Sequence, residues 1–558
     1  MKDRDLSHPN IAACLPFMAE KKPYQKAVIF PHGRDRQGRV AYTHLTFKQL
    51  DEESDWLAHG IKKTGLSPGD RAIVLLSPSL EFVTLTFALM KTGTVPVLID
   101  PGMGIYRMVS CIKQVQPRAF FGIPKAHLVR ILFPKYFRTI SVKVTVGRRW
   151  SWGGVTMQAL RLKKSGTFPI FNPGDKDIAA IFFTTGSTGP PKGVVYTHPM
   201  LKALVHTVKS FYQIDENDLD LPTFPLFVLF STAFGITAVI PDMDPTKPAE
   251  VNPAKIVEAI NNHGVTNTFG SPAIWNRVGR YCEKHDIKLP SVRRILIAGA
   301  PVPGDILERF RNILPSGNTY TPYGATEALL LTSITGNEIC KKTLPLTRQG
   351  RGTCVGRPLP GVEMRIISIT DDHIELSGRS LDSFSVPPGE VGEILVRGGY
   401  ITREYFAEPE ETTRAKIIDG ETFWHRTGDL GYFDEEGRLW FVGRKAHRVE
   451  RCGRLLFPVM VEAIFNQLEG VARSALVGIP SPDTGQKAVM VIEPSDGKIP
   501  HGSKKKEWEE RLMAVANDHG IPIDAVLFHP SFPVDIRHNV KIRREELAKW
   551  AQKKLKIS

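Results

Sequence analysis

The run Thr184-Thr185-Gly186-Ser187-Thr188-Gly189-Pro190-Pro191-Lys192-Gly193 gathers hydroxyls, glycines and one lysine directly after the apolar stretch Ile178–Phe183. Those residue types suit a phosphate. Small residues let backbone N–H groups turn toward an anion, the hydroxyls add donors, and the lysine adds a positive charge. The spacing is not that of a Walker loop, which places Gly-Lys-Ser/Thr after four spacer residues. Here Pro191 precedes Lys192 and Gly193 follows it. The same composition also describes a mobile linker. The apolar flanks Ile178–Phe183 and Val194–Tyr196 and the two prolines argue for a stiffer loop, and the residues alone leave both readings open.

Such a loop needs strands and helices to hold it. Thr46 is a plausible cap for a helix running through Leu50, Trp56, Leu57 and Ile61. Arg71–Leu76 reads as a strand, Glu81–Lys91 as a helix and Thr94–Ile99 as the next strand. Pro117–Gly122, Thr266–Gly270 and Arg294–Ala298 repeat the strand pattern, with helices at His127–Leu132, Pro253–His263, Ala273–His285 and Pro303–Ile313. Strand, helix, strand at short spacing predicts an α/β body with a parallel sheet and loops for chemistry at the strand ends. After about residue 350 short β-like runs, Val362–Ile369, Glu390–Arg397 and Leu439–Val442, predict a β subdomain. From Arg448 onward, helices at Val459–Leu468 and Trp508–His519 alternate with strands at Ala472–Ile479 and Lys487–Ile492. The expected division is therefore an N-terminal domain of residues 1–443, with the β subdomain at 350–443, and a small α+β domain at 444–558.

The chain has 558 residues, too many for one ordinary domain, and the hydrophobic and charged fractions of a globular protein. Six scattered cysteines argue against a zinc site or a disulfide framework and fit a reducing compartment. No apolar signal core follows Met1, so a cytoplasmic location is expected. The net charge of +15 comes without a nucleic-acid-binding motif, and leaves open weak attraction to anionic membranes or acidic partners. Leu221–Pro241 carries no charge over 21 residues, long enough to span a bilayer. Its prolines, Gly235 and hydroxyls favour buried elements lining an apolar pocket instead.

Five separated segments carry a family resemblance: Thr184–Gly193, Gly299-Ala300-Pro301, Tyr323-Gly324-Ala325-Thr326-Glu327, Thr427–Gly431 with Gly443-Arg444, and Val540–Arg543. In this order they resemble the adenylate-forming (AMP-binding) superfamily of acyl-CoA synthetases, luciferases and peptide-synthetase adenylation domains. Tyr405 with Pro409-Glu410, and Gly356–Gly361, add support. The resemblance implies an enzyme that joins a carboxylate to the α-phosphate of ATP with Mg²⁺ present. It implies that Thr184, Thr185, Gly186, Ser187, Thr188, Gly189 and Lys192 face the β- and γ-phosphates. Thr326 would bond a phosphate, and Glu327 would hold Mg²⁺, a hard cation that favours oxygen ligands. Tyr323 and Gly324, with Gly299, Ala300 and Pro301, would enclose the adenine. Asp429 would clamp the ribose beside Arg444, and Lys541, on a small domain that rotates between half-reactions, would reach the carboxylate and α-phosphate. Read alone, Thr326 and Glu327 look like a helix start.

Phe224-Pro225-Leu226-Phe227 sits where many members carry an aromatic residue and then histidine. Phe224 and Phe227 favour a hydrophobic acyl chain, and Leu221–Pro241 lacks the acid that an amino-acid substrate would need. Glu450 stands where acyl-CoA synthetases usually place lysine, and Val540 where they place glycine, which puts a CoA step in doubt. The nearest resemblance is to the β-lactone synthetases of bacterial long-chain olefin biosynthesis, carried by Asn10–Ala13, Val95–Gly102, Phe121–His127, Phe224–Phe227 and Pro533–Asn539. That implies a long-chain hydroxy acid as substrate, a location possibly peripheral to the membrane, and association with pathway enzymes. The alternatives are a fatty acyl-CoA ligase, which would use CoA, and a non-catalytic adenylate-binding scaffold.

Overall fold

The computed structural model describes residues 8–163, 165–184, 190–534 and 542–555. Two seven-stranded sheets form the body. One runs in the order Asn318–Tyr320, Arg294–Ile297, Asn267–Gly270, Leu219–Pro222, Thr237–Val239, Lys26–Arg34, Val40–Thr46, parallel except at its last pair. The other runs Val155–Thr156, Val142–Thr145, Ala119–Gly122, Arg71–Leu75, Val95–Ile99, Ile178–Thr184, Lys192–Thr197, again parallel but for the last pair. Parallel strands need crossover helices on both faces, which explains their near-continuous apolar runs.

The largest core lies between these sheets and takes side chains from both, including Val28, Phe182 and Tyr196, with helices Phe47–Lys63 and Leu80–Lys91 packed within it. The first helix starts where the sequence predicts. Thr46 accepts from the Gln49 N–H and Gln49 reaches back to the Thr46 N–H, a reciprocal cap worth about 1 kcal/mol. The second is apolar nearly all round, and its buried Lys91 is held by Asp51 and Asp55, both at 2.6 Å.

The uncharged stretch 221–241 is broken three ways: the end of strand Leu219–Pro222, helix Pro225–Ala233 and strand Thr237–Val239. Among the described residues no helix is long and apolar enough to cross a membrane. An eight-stranded, largely antiparallel sheet follows, and it begins earlier than the change of texture at residue 350. It takes in the hairpin Tyr323–Ala325 and Ala328–Ser333, because Thr332 and Ser333 pair with the strand Thr353–Pro358. A five-stranded sheet starts at Val449 and packs a helix, Pro458–Phe465, against strand Val471–Ser481. Near the end of the described chain Arg544–Lys554 forms a helix whose Leu547 and Ala551 are buried at helical spacing.

Candidate active site

Strands Ile178–Thr184 and Lys192–Thr197 pair antiparallel, with Thr184 opposite Lys192. The glycine- and hydroxyl-rich loop therefore springs from a sheet end. Thr185, Gly186, Ser187, Thr188 and Gly189 lie outside the described residues, as does the side chain of Thr184. Lys192 is placed by its strand, which bridges to Tyr405 through Val194 and accepts the Phe406 N–H at the Gly193 carbonyl, 2.7 Å. Its ammonium stands 5.0 Å over the Tyr405 ring and forms an ion pair with Glu411. That pairing holds the Glu411 carboxyl below its ordinary range.

Thr326 and Glu327 occupy the two-residue turn of the hairpin, between Ala325 and Ala328, and not a helix start. Pairing of Tyr323 with Thr332 across the hairpin overrides the local helix signal. Gly324 is required there, since a Cβ would come within 2.5 Å of the Ala328 carbonyl oxygen. The turn is pinned from outside. The buried Tyr196 donates to the Thr326 carbonyl at 2.7 Å, and Thr402 donates its N–H and hydroxyl to the Glu327 carbonyl at 2.9 and 3.1 Å. Tyr400 donates to the carbonyl of Leu330 at 2.8 Å, holding a left-handed backbone (φ +64°) that leucine rarely adopts. Tyr405 donates to Glu327 Oε1 at 2.7 Å. Burial and the nearby Glu327 charge push the Tyr405 phenol above its ordinary range, so it stays a donor.

Beneath this turn lies a lysine that no sequence motif marks. Lys416 is 4% exposed, donates to the Thr402 carbonyl, and feels the Glu327 carboxylate. Burial brings its pKa down to about 7 despite that attraction. Its neighbour His425 is buried too and held neutral, chiefly by desolvation. Strand alternation gives no warning of Lys416: it shares a face with Ile418, which is 67% exposed. Glu411, Thr402 and Tyr196 were equally invisible as site residues.

Asp429 and Arg444 face each other across neighbouring strands Thr422–Phe433 and Leu439–Arg444, with Arg444 Nε 3.0 Å from Asp429 Oδ1. The Tyr323 hydroxyl donates to Asp429 Oδ2 at 2.6 Å. The Asp429 charge raises the Arg444 pKa, and burial together with Asp429 keeps Tyr323 protonated. Gly428 (φ +68°) makes the bend that presents Asp429. Tyr323, Asp429 and Arg444 are thus brought together. Gly299 (φ +91°), Ala300 and Pro301 follow the strand Arg294–Ile297 of the first sheet, with Gly299 and Pro301 exposed.

Phe224 and Phe227 open the helix Pro225–Ala233, and both are half-buried. Phe227 stacks on Phe269, with ring centroids 3.8 Å apart, and sits 5.7 Å from Phe224. A buried polar tie aims this helix: Asp220 accepts from Ser231 at 2.5 Å and from Asn267 at 2.7 Å. Burial lifts the Asp220 pKa to about 7. The aromatic set can line an apolar chain. Among the described residues no group of three or more His, Cys, Asp or Glu could hold a metal by itself. Glu327 offers one carboxylate, with Oε2 taking no hydrogen bond from a described residue. That suits Mg²⁺, which usually keeps waters and substrate phosphates among its ligands.

Lys541 lies outside the described residues. Glu450 is exposed, and its N–H donates to Gln486 at 2.8 Å. His447 lies 3.1 Å from Glu545 on the last helix, and desolvation lowers its pKa.

The Glu327 turn, Lys192 and the Asp429–Arg444–Tyr323 group come together, with Tyr405 touching both Glu327 and Lys192 and Arg444 feeling the charges of Asp429 and Glu327. The profile of the AMP-binding enzyme family matches residues 18–406. The chain belongs to that family. It is 43% identical over 555 residues to an olefin beta-lactone synthetase of Stenotrophomonas maltophilia, covering 98% of each chain. It is 44% identical over 551 residues to the olefin beta-lactone synthetase of Xanthomonas campestris, covering 97% of each. Among solved structures, the amide bond synthetase McbA from Marinactinospora thermotolerans superposes with a TM-score of 0.78 at 23% identity, covering 97% of this chain and 99% of that one. That last likeness speaks for the fold alone, an adenylate-forming architecture of mixed α/β type.

Proposed function

We propose that this protein is an ATP- and Mg²⁺-dependent β-lactone synthetase acting on long-chain β-hydroxy acids. The observation that carries the reading is near-full-length similarity to two olefin beta-lactone synthetases. In the first step the substrate carboxylate oxygen attacks the α-phosphorus of ATP and pyrophosphate leaves. In the second the β-hydroxyl oxygen attacks the acyl carbon, loses its proton and expels AMP, closing a four-membered ring. The intramolecular nucleophile gains from proximity, and the adenylate offsets ring strain.

Each residue then has a task. Lys192, with the loop Thr184–Gly189, binds the β- and γ-phosphates, and exchanges Glu411 for the more highly charged triphosphate. Thr326 bonds a phosphate and Glu327 holds Mg²⁺, which when bound neutralises charge on the phosphates. Tyr405, Thr402 and Lys416 fix the turn that carries Glu327. Asp429, steadied by Arg444 and Tyr323, accepts the ribose hydroxyls, while Tyr323, Gly324 and Gly299–Pro301 enclose the adenine. Phe224 and Phe227 line the acyl chain. Lys541 arrives on a mobile C-terminal unit of residues 444–558 and neutralises the carboxylate and α-phosphate as they meet. The enzyme works in the cytoplasm, at the membrane surface, beside the enzymes that make its acid and consume its lactone.

The test is to incubate purified protein with ATP, Mg²⁺ and a 2-alkyl-3-hydroxy fatty acid, with and without CoA. Lactone and AMP formed without CoA are expected. Turnover of a plain fatty acid only when CoA is present would make it an acyl-CoA ligase, and absence of pyrophosphate from either acid would make it a scaffold.

A further inference from the structure

One surface of the molecule departs from the rest in two ways at once. Among the described residues, seven of the ten large hydrophobic residues left exposed fall between residues 105 and 155, among them Tyr106, Leu128, Ile131, Leu132 and Trp150. Over residues 101–150 the chain carries ten lysines and arginines and no aspartate or glutamate, although 58 acids are spread through the whole chain. Arg107, Lys125, Lys135, Arg138, Arg148 and Arg149 are exposed, and none forms an ion pair with a described residue. A globular surface normally mixes both signs and scatters its apolar residues singly.

The two features share one face. Leu128, Ile131 and Leu132 stand on the outer side of the short helix Pro124–Leu132, at i, i+3 and i+4. The Tyr106 ring meets Phe133 edge-on at 5.9 Å, and Lys135 lies 5.1 Å over the Tyr136 ring in the following turn. Arg130 donates to the Trp152 carbonyl at 2.9 Å, and Trp152 lies 5.1 Å from Trp150. Apolar tips within a ring of cations that belong to several separate elements match a surface that is apolar within and negative at its rim. Trp and Tyr favour that boundary, and spread basic residues are drawn to anionic headgroups.

We infer that this face, built from the helices Ile105–Val115 and Pro124–Leu132 and the Trp150 loop, docks the enzyme on an anionic lipid bilayer. The inference rests on the proposed long-chain substrate for its purpose, since such an acid partitions into membranes, but not for its physics. The face also reaches the site: Gln114, on the first of these helices, donates to the carbonyl of Phe406, next to Tyr405, at 3.1 Å.

Full-length protein is sedimented with sucrose-loaded vesicles of phosphatidylethanolamine and phosphatidylglycerol, and with purely zwitterionic vesicles, at low and high salt. Binding to the anionic vesicles is expected, weakened about tenfold or more by removing the anionic lipid or raising the salt. Leu128→Ser/Leu132→Ser/Trp150→Ser and, separately, Lys135→Glu/Arg138→Glu should each weaken it about tenfold or more. Both variants should release pyrophosphate from ATP and a short, soluble β-hydroxy acid at the wild-type rate. Wild-type protein left in the supernatant, or variants that sediment like wild type, overturns the inference. Vesicle binding needs no lactone chemistry, so failure of the surface and failure of the proposed reaction are read separately.

Discussion

Lys416 is the residue whose removal separates stability from function. Its ordinary pKa of 10.5 falls to about 7 because burial penalises the ammonium more than Glu327 favours it. At 1.36 kcal/mol per pH unit, that displacement is a cost on the order of 5 kcal/mol while the group is charged. Lys416→Met removes the cost but leaves the Thr402 carbonyl without its donor, a loss of about 1–3 kcal/mol. At pH 6 the variant should therefore be more stable than wild type by about 2–4 kcal/mol. The native state loses the Lys416 proton near pH 7 and the unfolded chain only near 10.5, so wild-type stability climbs with pH across that window. By pH 9 about 2 kcal/mol of the cost remains and the variant's advantage has nearly gone, a change of about 3 kcal/mol between the two pH values. Urea unfolding midpoints at pH 6 and pH 9 measure it. At pH 6, where Lys416 is charged, the same variant should lose about tenfold in kcat/KM for ATP, because a positive charge near Glu327 is gone, and the loss should shrink as the pH rises past 7. A variant less stable than wild type at pH 6, or an advantage indifferent to pH, would refute the reasoning.

Asp429→Asn keeps the shape but weakens the charge-assisted bonds to Arg444 and the ribose, so the KM for ATP should rise about 10–100-fold in a pyrophosphate-release assay. Tyr405→Phe removes the hydrogen bond to Glu327, and the Mg²⁺ concentration giving half-maximal rate should move up several-fold. An unmoved Mg²⁺ curve would detach Tyr405 from the turn. Phe227→Ala unstacks Phe269, and should raise KM for long acids more than for short ones while costing about 1–3 kcal/mol in urea unfolding. Lys541→Ala should abolish adenylate formation and leave ATP binding measurable by calorimetry. Normal pyrophosphate release from it would remove Lys541 from the reaction.

Much of this protein was legible in its sequence because the information is local. The Thr46 cap, the alternation of strands and helices through residue 320, and the flanks of the Thr184–Gly193 loop each depend on residues a few positions apart. So do the motifs around Glu327 and Asp429, which signal adenylation chemistry without any coordinates. What the tertiary structure decided is everything that depends on distant pairs. Thr326 and Glu327 form a hairpin turn because Tyr323 pairs with Thr332 and that strand with Thr353–Pro358. Tyr405 meets Glu327, and Glu411 meets Lys192, across 78 and 219 residues of chain. Lys416 lies buried on a face where alternation predicts exposure, and exposed apolar and basic residues from several elements collect on one surface. A side chain's charge state and role follow from its desolvation and its partners, and long-range packing sets both.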